Sequence, residues 1–315
     1  MGVTHNDLFG DSFEQSAADG AYGRPPAGYR LPDATSIRTV TLQVSDLSRS
    51  RNFYEITLGF RPITIDTDRV TLGATGSATT LVTLIENRAG ARRAPKNSLG
   101  LYHVAILLPT RADLGRFLRH LQRTGVRSGA GDHLVSEALY LQDPDELGIE
   151  VYADRPRDTW RRRNAELVMA TDPVDVRALL AAGGTEPWTG MPKGTTIGHV
   201  HLHVGDLDQA ARFYSQSLGF DRMVWSYPSA LFMAAGRYHH HLGTNTWAGP
   251  DATRAEPDAP QLLEWVLELP TTADVRRAAQ SLHANGYSAD VVDDDFVTRD
   301  PWGTALRISP TPAGP

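Results

Sequence analysis

The sequence predicts an α+β fold in which one strand–helix–strands unit is used four times. Three observations predict it. Val44, Asp46, Leu47, Phe53, Tyr54, Leu58, Gly59 and Phe60 recur without a gap as Val204, Asp206, Leu207, Phe213, Tyr214, Leu218, Gly219 and Phe220. Eight matches across 17 positions mark an internal repeat. Further on, the strand-like runs 101–109 and 262–270 are each followed by a helical pattern, and each half closes on Asp-Pro and a last strand, 143–152 and 300–308.

Residues 1–33 are rich in Gly, Ala, Pro, Asp and Ser and read as a mobile arm able to pack on the surface. Unit one starts near Ile37 with the run 39–47, a helix carrying Phe53-Tyr54 that stops at Leu58-Gly59-Phe60, and strands around Val70 and Val82. In unit two, Thr110 and Asp113 form a capping box. Leu114, Phe117, Leu118 and Leu121 then fall at helical spacing, and Gly125 ends the helix. A connector, 154–194, holds Trp160, a short helix at 174–182 and Gly183-Gly184. Unit three repeats unit one. Unit four opens at Leu262, with a helix cap at Thr271 or Thr272 and a stop at Gly286. The expected domains are therefore 37–153 and 195–310, which suits 315 residues.

Composition narrows the function. The net charge is -6 and no block of five like charges occurs, which argues against nucleic acid or an anionic membrane as the main partner. The absence of cysteine excludes disulfides, thiolate metal sites and cysteine nucleophiles. No window approaches the ~18 apolar residues of a membrane span, and no signal-peptide pattern opens the chain. The expectation is a soluble cytoplasmic protein.

The chemistry concentrates in the strand 198–204. Period two places His199, His201 and His203 on one face and Val200, Leu202 and Val204 on the other. Three imidazoles on one face are costly to bury without partners, so at least one is expected to bind something.

Several runs carry a resemblance: Gly100-Leu101-Tyr102-His103, 131–140, 149–156, 197–204 and Tyr238-His239-His240-His241-Leu242-Gly243. Together with the repeats they resemble the vicinal oxygen chelate superfamily. Within it, residues 37–308 look like the two-domain catechol 2,3-dioxygenases of Gram-positive bacteria. The resemblance implies four βαβββ modules forming two cup-shaped mixed β-sheet domains. It also implies metal ligands at His103, Glu150 and His199, whose counterparts in the other units are Glu264, Arg307 and Thr39. Pairing units three and four would set Arg307 at a cation site. Pairing unit two with unit three brings two His and one Glu together and leaves a metal-free cup of units one and four. The ligand set suits Fe(II), with Mn(II) compatible.

By the same resemblance, a small aromatic diol and O2 are the partners, without nucleic acid or membrane, and a homo-oligomer is compatible with the sequence. Ring opening needs a near-neutral acid or base. The family position falls in 239–241, with His241 favoured and His240 the alternative. Tyr140, ten residues before Glu150, is expected to hydrogen-bond the substrate, and His133 has a weaker supporting place. His201 and His203 are expected to line the cup rather than bind metal, and Trp225, Tyr227, Phe232 and Trp247 to be core or cavity wall. Glu86 is expected to be solvated. At Glu146-Leu147 the family commonly has Gly-Asn. The competing readings are a metal-dependent glyoxalase-like isomerase or thiol transferase, and a metal-free binding protein like the bleomycin-sequestering members.

Overall fold

The computed structural model describes residues 2–10, 14–87 and 97–312. Residues 1 and 11–13 of the expected arm and residues 88–96 of the first expected domain lie outside them. Strands and helices are numbered through the four units. Unit one contains β1 (Ser36–Val44), α1 (Leu47–Asn52), β2 (Arg61–Ile65), β3 (Arg69–Gly73) and β4 (Val82–Glu86). Unit two contains β5 (Ser98–Leu107), α2 (Arg111–Thr124), β6 (Gly129–Asp132), β7 (Ser136–Gln142) and β8 (Gly148–Asp154). The connector carries α3 (Val176–Ala182). Unit three contains β9 (Thr196–His203), α4 (Leu207–Ala210), β10 (Asp221–Val224), β11 (Ala230–Ala234) and β12 (Leu242–Asn245). Unit four contains β13 (Gln261–Leu269), α5 (Thr272–Ala284), β14 (Asp290–Val292), β15 (Asp295–Arg299) and β16 (Ala305–Pro310). Every unit is thus βαβββ.

In each unit the first strand runs parallel to the last, and the last three strands form an antiparallel meander. The units then join through their first strands, out of sequence order. β5 lies antiparallel to β9, and β1 antiparallel to β13. One sheet therefore runs β6-β7-β8-β5-β9-β12-β11-β10 from units two and three. The other runs β2-β3-β4-β1-β13-β16-β15-β14 from units one and four. The two meet where Ile37 of β1 pairs with Ile197 of β9.

Alternation decides which face holds what. Val104 and Ile106 of β5, Ile149 and Val151 of β8, and Val200 and Leu202 of β9 belong to one apolar core, with Leu114, Phe117 and Leu121 of α2. Their neighbours along the strands (His103, Ala105, Glu150, Tyr152, His199 and His201) take the opposite face. Burying the apolar face holds the register, because a one-residue slip would exchange the two sets.

The helix signals act as the capping rules require. The hydroxyls of Thr110 and Thr271 accept the backbone N–H groups of Asp113 and Asp274, each at 3.1 Å. Gly125 closes α2 with φ +72°. Where a regular helix is expected around Phe53-Tyr54 and Phe213-Tyr214, the chain widens into π-helical turns, Phe53–Leu58 and Ala211–Ser217. Glu86, expected to be solvated, accepts the Leu47 N–H at 3.1 Å and so holds the start of α1. The described part of the arm packs on the body. Gln15 and Ser16 pair with Arg162 and Arg161, Arg30 bonds Asp221 at 2.6 Å, and Leu31 is buried. No helix among the described residues is long and apolar enough to cross a membrane.

Candidate metal centre

Three adjacent strands of the two–three sheet build the centre. Glu150 of β8 is level with Ala105 of β5, and Ala105 is level with His199 of β9. Ala105 is a methyl group between two ligating side chains. His103 stands two residues along β5 and joins them over it. Two bulges aim these side chains. Gly198 is the extra residue of β9 between Ile197 and His199, and Tyr102 is the extra residue of β5 opposite His201-Leu202. Only glycine fits the first, since a Cβ at position 198 would lie 1.8 Å from the Tyr152 phenol oxygen.

His103 Nε2 is 2.9 Å from Glu150 Oε2, His199 Nε2 is 3.2 Å from the same oxygen, and the two imidazole nitrogens are 3.3 Å apart. Donor atoms bonded at 2.0–2.2 Å on one octahedral face stand about 3 Å from each other. The triangle fits a divalent ion. All three side chains are buried, at 5%, 2% and 1% exposure. Their protonation fits as well. Burial lowers the His199 imidazole to about 4, keeping it neutral at pH 7. Burial alone would raise the Glu150 carboxyl, but the neighbouring His199 and His103 outweigh it and hold the group well below the usual range. A neutral imidazole and a carboxylate are the forms in which His199 and Glu150 would bind metal. Among the described residues this is the one group of three such side chains that could hold a metal ion.

The corresponding positions in the other sheet hold no comparable set. Arg307 makes a two-pronged ion pair with Glu264, at 3.0 and 3.1 Å, and Thr39 donates to the Leu81 carbonyl.

The other candidate residues divide. Tyr140 of β7 is level with Glu150, and its hydroxyl is 2.5 Å from His133 Nε2. The Ala170 carbonyl can only accept, so His133 carries its proton on Nδ1, 2.7 Å away, and accepts the Tyr140 hydroxyl with Nε2. His133 is therefore tied to Tyr140 despite its unusual spacing, and the Ala170 carbonyl that orients it had no sequence signal. Burial and the nearby Glu150 charge push the Tyr140 phenol well above 10, so it stays protonated.

His240 lies against His199 of the triad, with the ring centroids 4.0 Å apart. His241 does not. Its ring stacks toward Phe220 at 6.3 Å and its Nδ1 accepts the Ala235 N–H. Strand parity does not decide between the two. β12 begins only at Leu242, so residues 239–241 form a bend to which strand alternation does not apply. Two further residues, Asp154 and His239, join the site without having been expected there: His239 Nε2 is 2.9 Å from Asp154 Oδ1 and its Nδ1 is 2.7 Å from His240 Nδ1. A signal existed, since Asp154 shares strand parity with Glu150.

His201 and His203 line the cup as expected. Asn245 donates to His201 Nε2 at 2.9 Å and accepts from His203 Nδ1 at 2.6 Å. Tyr227 and Phe232 are core, and Trp247 is an exposed wall with its ring against Tyr102 and His201. His103 and Tyr140 reach a cavity of about 430 Å³, also lined by Tyr102, Ile149, His203 and Gln261.

Residues 36–151 and 196–306 match the family described as the Glyoxalase/Bleomycin resistance protein/Dioxygenase superfamily. The chain belongs to this superfamily. A curated superfamily relative, Catechol-2,3-dioxygenase of Bacillus subtilis, is 43% identical over 274 residues, covering 86% of this chain and 95% of the relative. Among solved structures, a proposed dioxygenase of Bacillus subtilis aligns with a TM-score of 0.64 at 17% identity, over 91% of this chain and 87% of that one. Glyoxalase I of Zea mays aligns with a TM-score of 0.51 at 14% identity, over 87% and 92%. At those identities the two structures speak for the superfamily fold alone.

Proposed function

We propose that this chain is an extradiol ring-cleaving dioxygenase that inserts both atoms of O2 into catechol or a substituted catechol next to the diol. It would act in the cytoplasm, in aromatic catabolism, with Fe(II) held by His103, Glu150 and His199; Mn(II) fits the same donors. The observation that carries the reading is the buried His–Glu–His triangle, drawn from two different units in a chain so similar over its length to a catechol dioxygenase.

Three ligands on one face leave about three positions open, and the bound ion would bring diol and O2 together and pass electron density between them. The remaining work falls to side chains. His240, whose ring lies against that of His199, would take a diol proton and return it as the ring opens. This needs a bare imidazole nitrogen, and burial, with His199 and His239 nearby, keeps His240 neutral by lowering it well below 6.5. Tyr140 spends its proton on His133, leaving its oxygen to accept a hydrogen bond from a substrate hydroxyl. Tyr102 and Trp247 offer aromatic faces at the mouth.

A glyoxalase-like isomerase would call for a second carboxylate beside the triad where His240 stands. Asp154, four residues along β8 from Glu150, is engaged by His239 instead.

The test is to load the protein with Fe(II) without oxygen, add catechol, and then add oxygenated buffer. One O2 consumed per yellow ring-opened product, abolished in His199→Ala and in Glu150→Ala, is the expected result. No uptake by the iron-loaded protein across several substituted catechols would overturn the proposal.

A further inference from the structure

Beyond the triad, an acid and two adjacent histidines are linked end to end beside His199. Asp154 ends β8, and His239 and His240 lie in the bend before β12. His239 is fully buried and His240 nearly so. The directions of the hydrogen bonds follow from the groups themselves. A carboxylate can only accept, so the proton of a neutral His239 is on Nε2, 2.9 Å from Asp154 Oδ1. Its Nδ1 is then a bare acceptor, and His240 Nδ1, 2.7 Å away, must carry the proton that joins them. His240 Nε2 is left with its lone pair, in a ring tilted 46° to that of His199 with the centroids 4.0 Å apart. The carboxylate is itself held: Tyr238 donates to Asp154 Oδ1 at 3.1 Å, and the Tyr152 hydroxyl is 2.7 Å from that of Tyr238.

We infer that Asp154 and His239 are positioning residues that hold His240 in the Nδ1–H form, so that Nε2 faces the bound diol as an acceptor. This rests on the ring-cleavage reading of the site. A histidine's tautomer is set by the bond its other nitrogen makes, and here that bond is fixed from two residues away. When His240 Nε2 takes up a proton, the charge is drawn through His239 toward Asp154. The arrangement also accounts for a bend at 239–241 in place of strand: strand geometry would turn His239 and His240 to opposite faces and break the link.

The test substitutes Asp154→Asn. An amide can donate to His239 Nε2, which reverses both bonds and leaves His240 protonated on Nε2. In metal-free protein labelled with ¹⁵N-histidine, long-range ¹H–¹⁵N correlations read the tautomer. The His240 signals among the eleven histidines are identified by their loss in His240→Gln. The expected result is Nδ1–H in the wild type and Nε2–H in Asp154→Asn. With iron, kcat for catechol should fall on the order of 10²-fold while KM changes by less than about threefold. A wild-type His240 protonated on Nε2 would overturn the inference. So would an Asp154→Asn enzyme with unchanged tautomer and kcat. The wild-type tautomer is read without metal and without Asp154→Asn, so it judges this link separately. A failure of the iron-loaded wild type to consume O2 would count against the ring-cleavage reading instead.

Discussion

Ala105 occupies the point where Glu150, its own strand and His199 come level, and its methyl group leaves the space in which three donor atoms stand within 3.3 Å of each other. Ala105→Leu would fill that space. We predict that the variant folds at a cost of about 1–3 kcal/mol from overpacking and loses stoichiometric Fe(II) binding, as read by denaturant unfolding and by metal analysis after gel filtration. Retained iron would show that the triad is not the site. The three side chains that the structure gathers, His103, Glu150 and His199, were legible in the sequence through the resemblance, which gives each a matched position of a repeated module. Ala105 was not, since nothing in an isolated strand says which small residue will lie beneath an ion. Nor was the different placing of the His240 and His241 rings, because the strand begins only at Leu242 and alternation does not reach them. The roles of Asp154 and Ala170 depend on contacts across 85 and 37 residues of chain, invisible to local spacing.

At the scale of elements, the Asp-Pro turns explain a part of the repeat that has no catalytic use. Asp143 Oδ1 accepts the N–H groups of Asp145 and Leu147 at 2.8 and 2.9 Å, and Asp300 does the same for Trp302 and Thr304. Into each turn comes the repeated tyrosine of the preceding unit, Tyr54 to Asp143 and Tyr214 to Asp300. These bonds tie units one to two and three to four, while the sheets join two to three and one to four. Burial raises Asp143 to about 7. Between the ordinary carboxyl value of about 4 and pH 7, the folded state then keeps a proton that the unfolded state has released. Stability contributed here therefore falls as pH rises through that window, and the loss is complete above it. Asp143→Asn, neutral throughout and still able to accept both amides, should flatten the fall. Urea denaturation at pH 5 and pH 7.5 checks this, and equal slopes for wild type and variant would contradict it. In the same turn Glu146 has φ +68°, a left-handed conformation that glycine adopts without strain, which explains the glycine of the resembling family at this position; here glutamate keeps the same turn at some cost in strain.

At the scale of the whole molecule, the duplication yields two similar sheets, of which one carries the ligands. The pairing was legible once the resemblance set Arg307 at a ligand position, because a guanidinium cannot stand at a cation site. In the structure it is bonded to Glu264 instead. That pair is partly exposed, so Arg307→Ala should change stability by less than about 1 kcal/mol and leave metal content unaltered. The N-terminal arm was the least legible part, since its contacts with the connector and with Asp221 join residues far apart in sequence. The central claim is that one ion is held between units two and three. Its most direct test is an anaerobic Fe(II) titration of the wild type, His199→Ala and Arg307→Ala, with bound metal counted per chain. One ion in the wild type and in Arg307→Ala, with none in His199→Ala, is the predicted result. Two ions per wild-type chain, or one retained in His199→Ala, would contradict it.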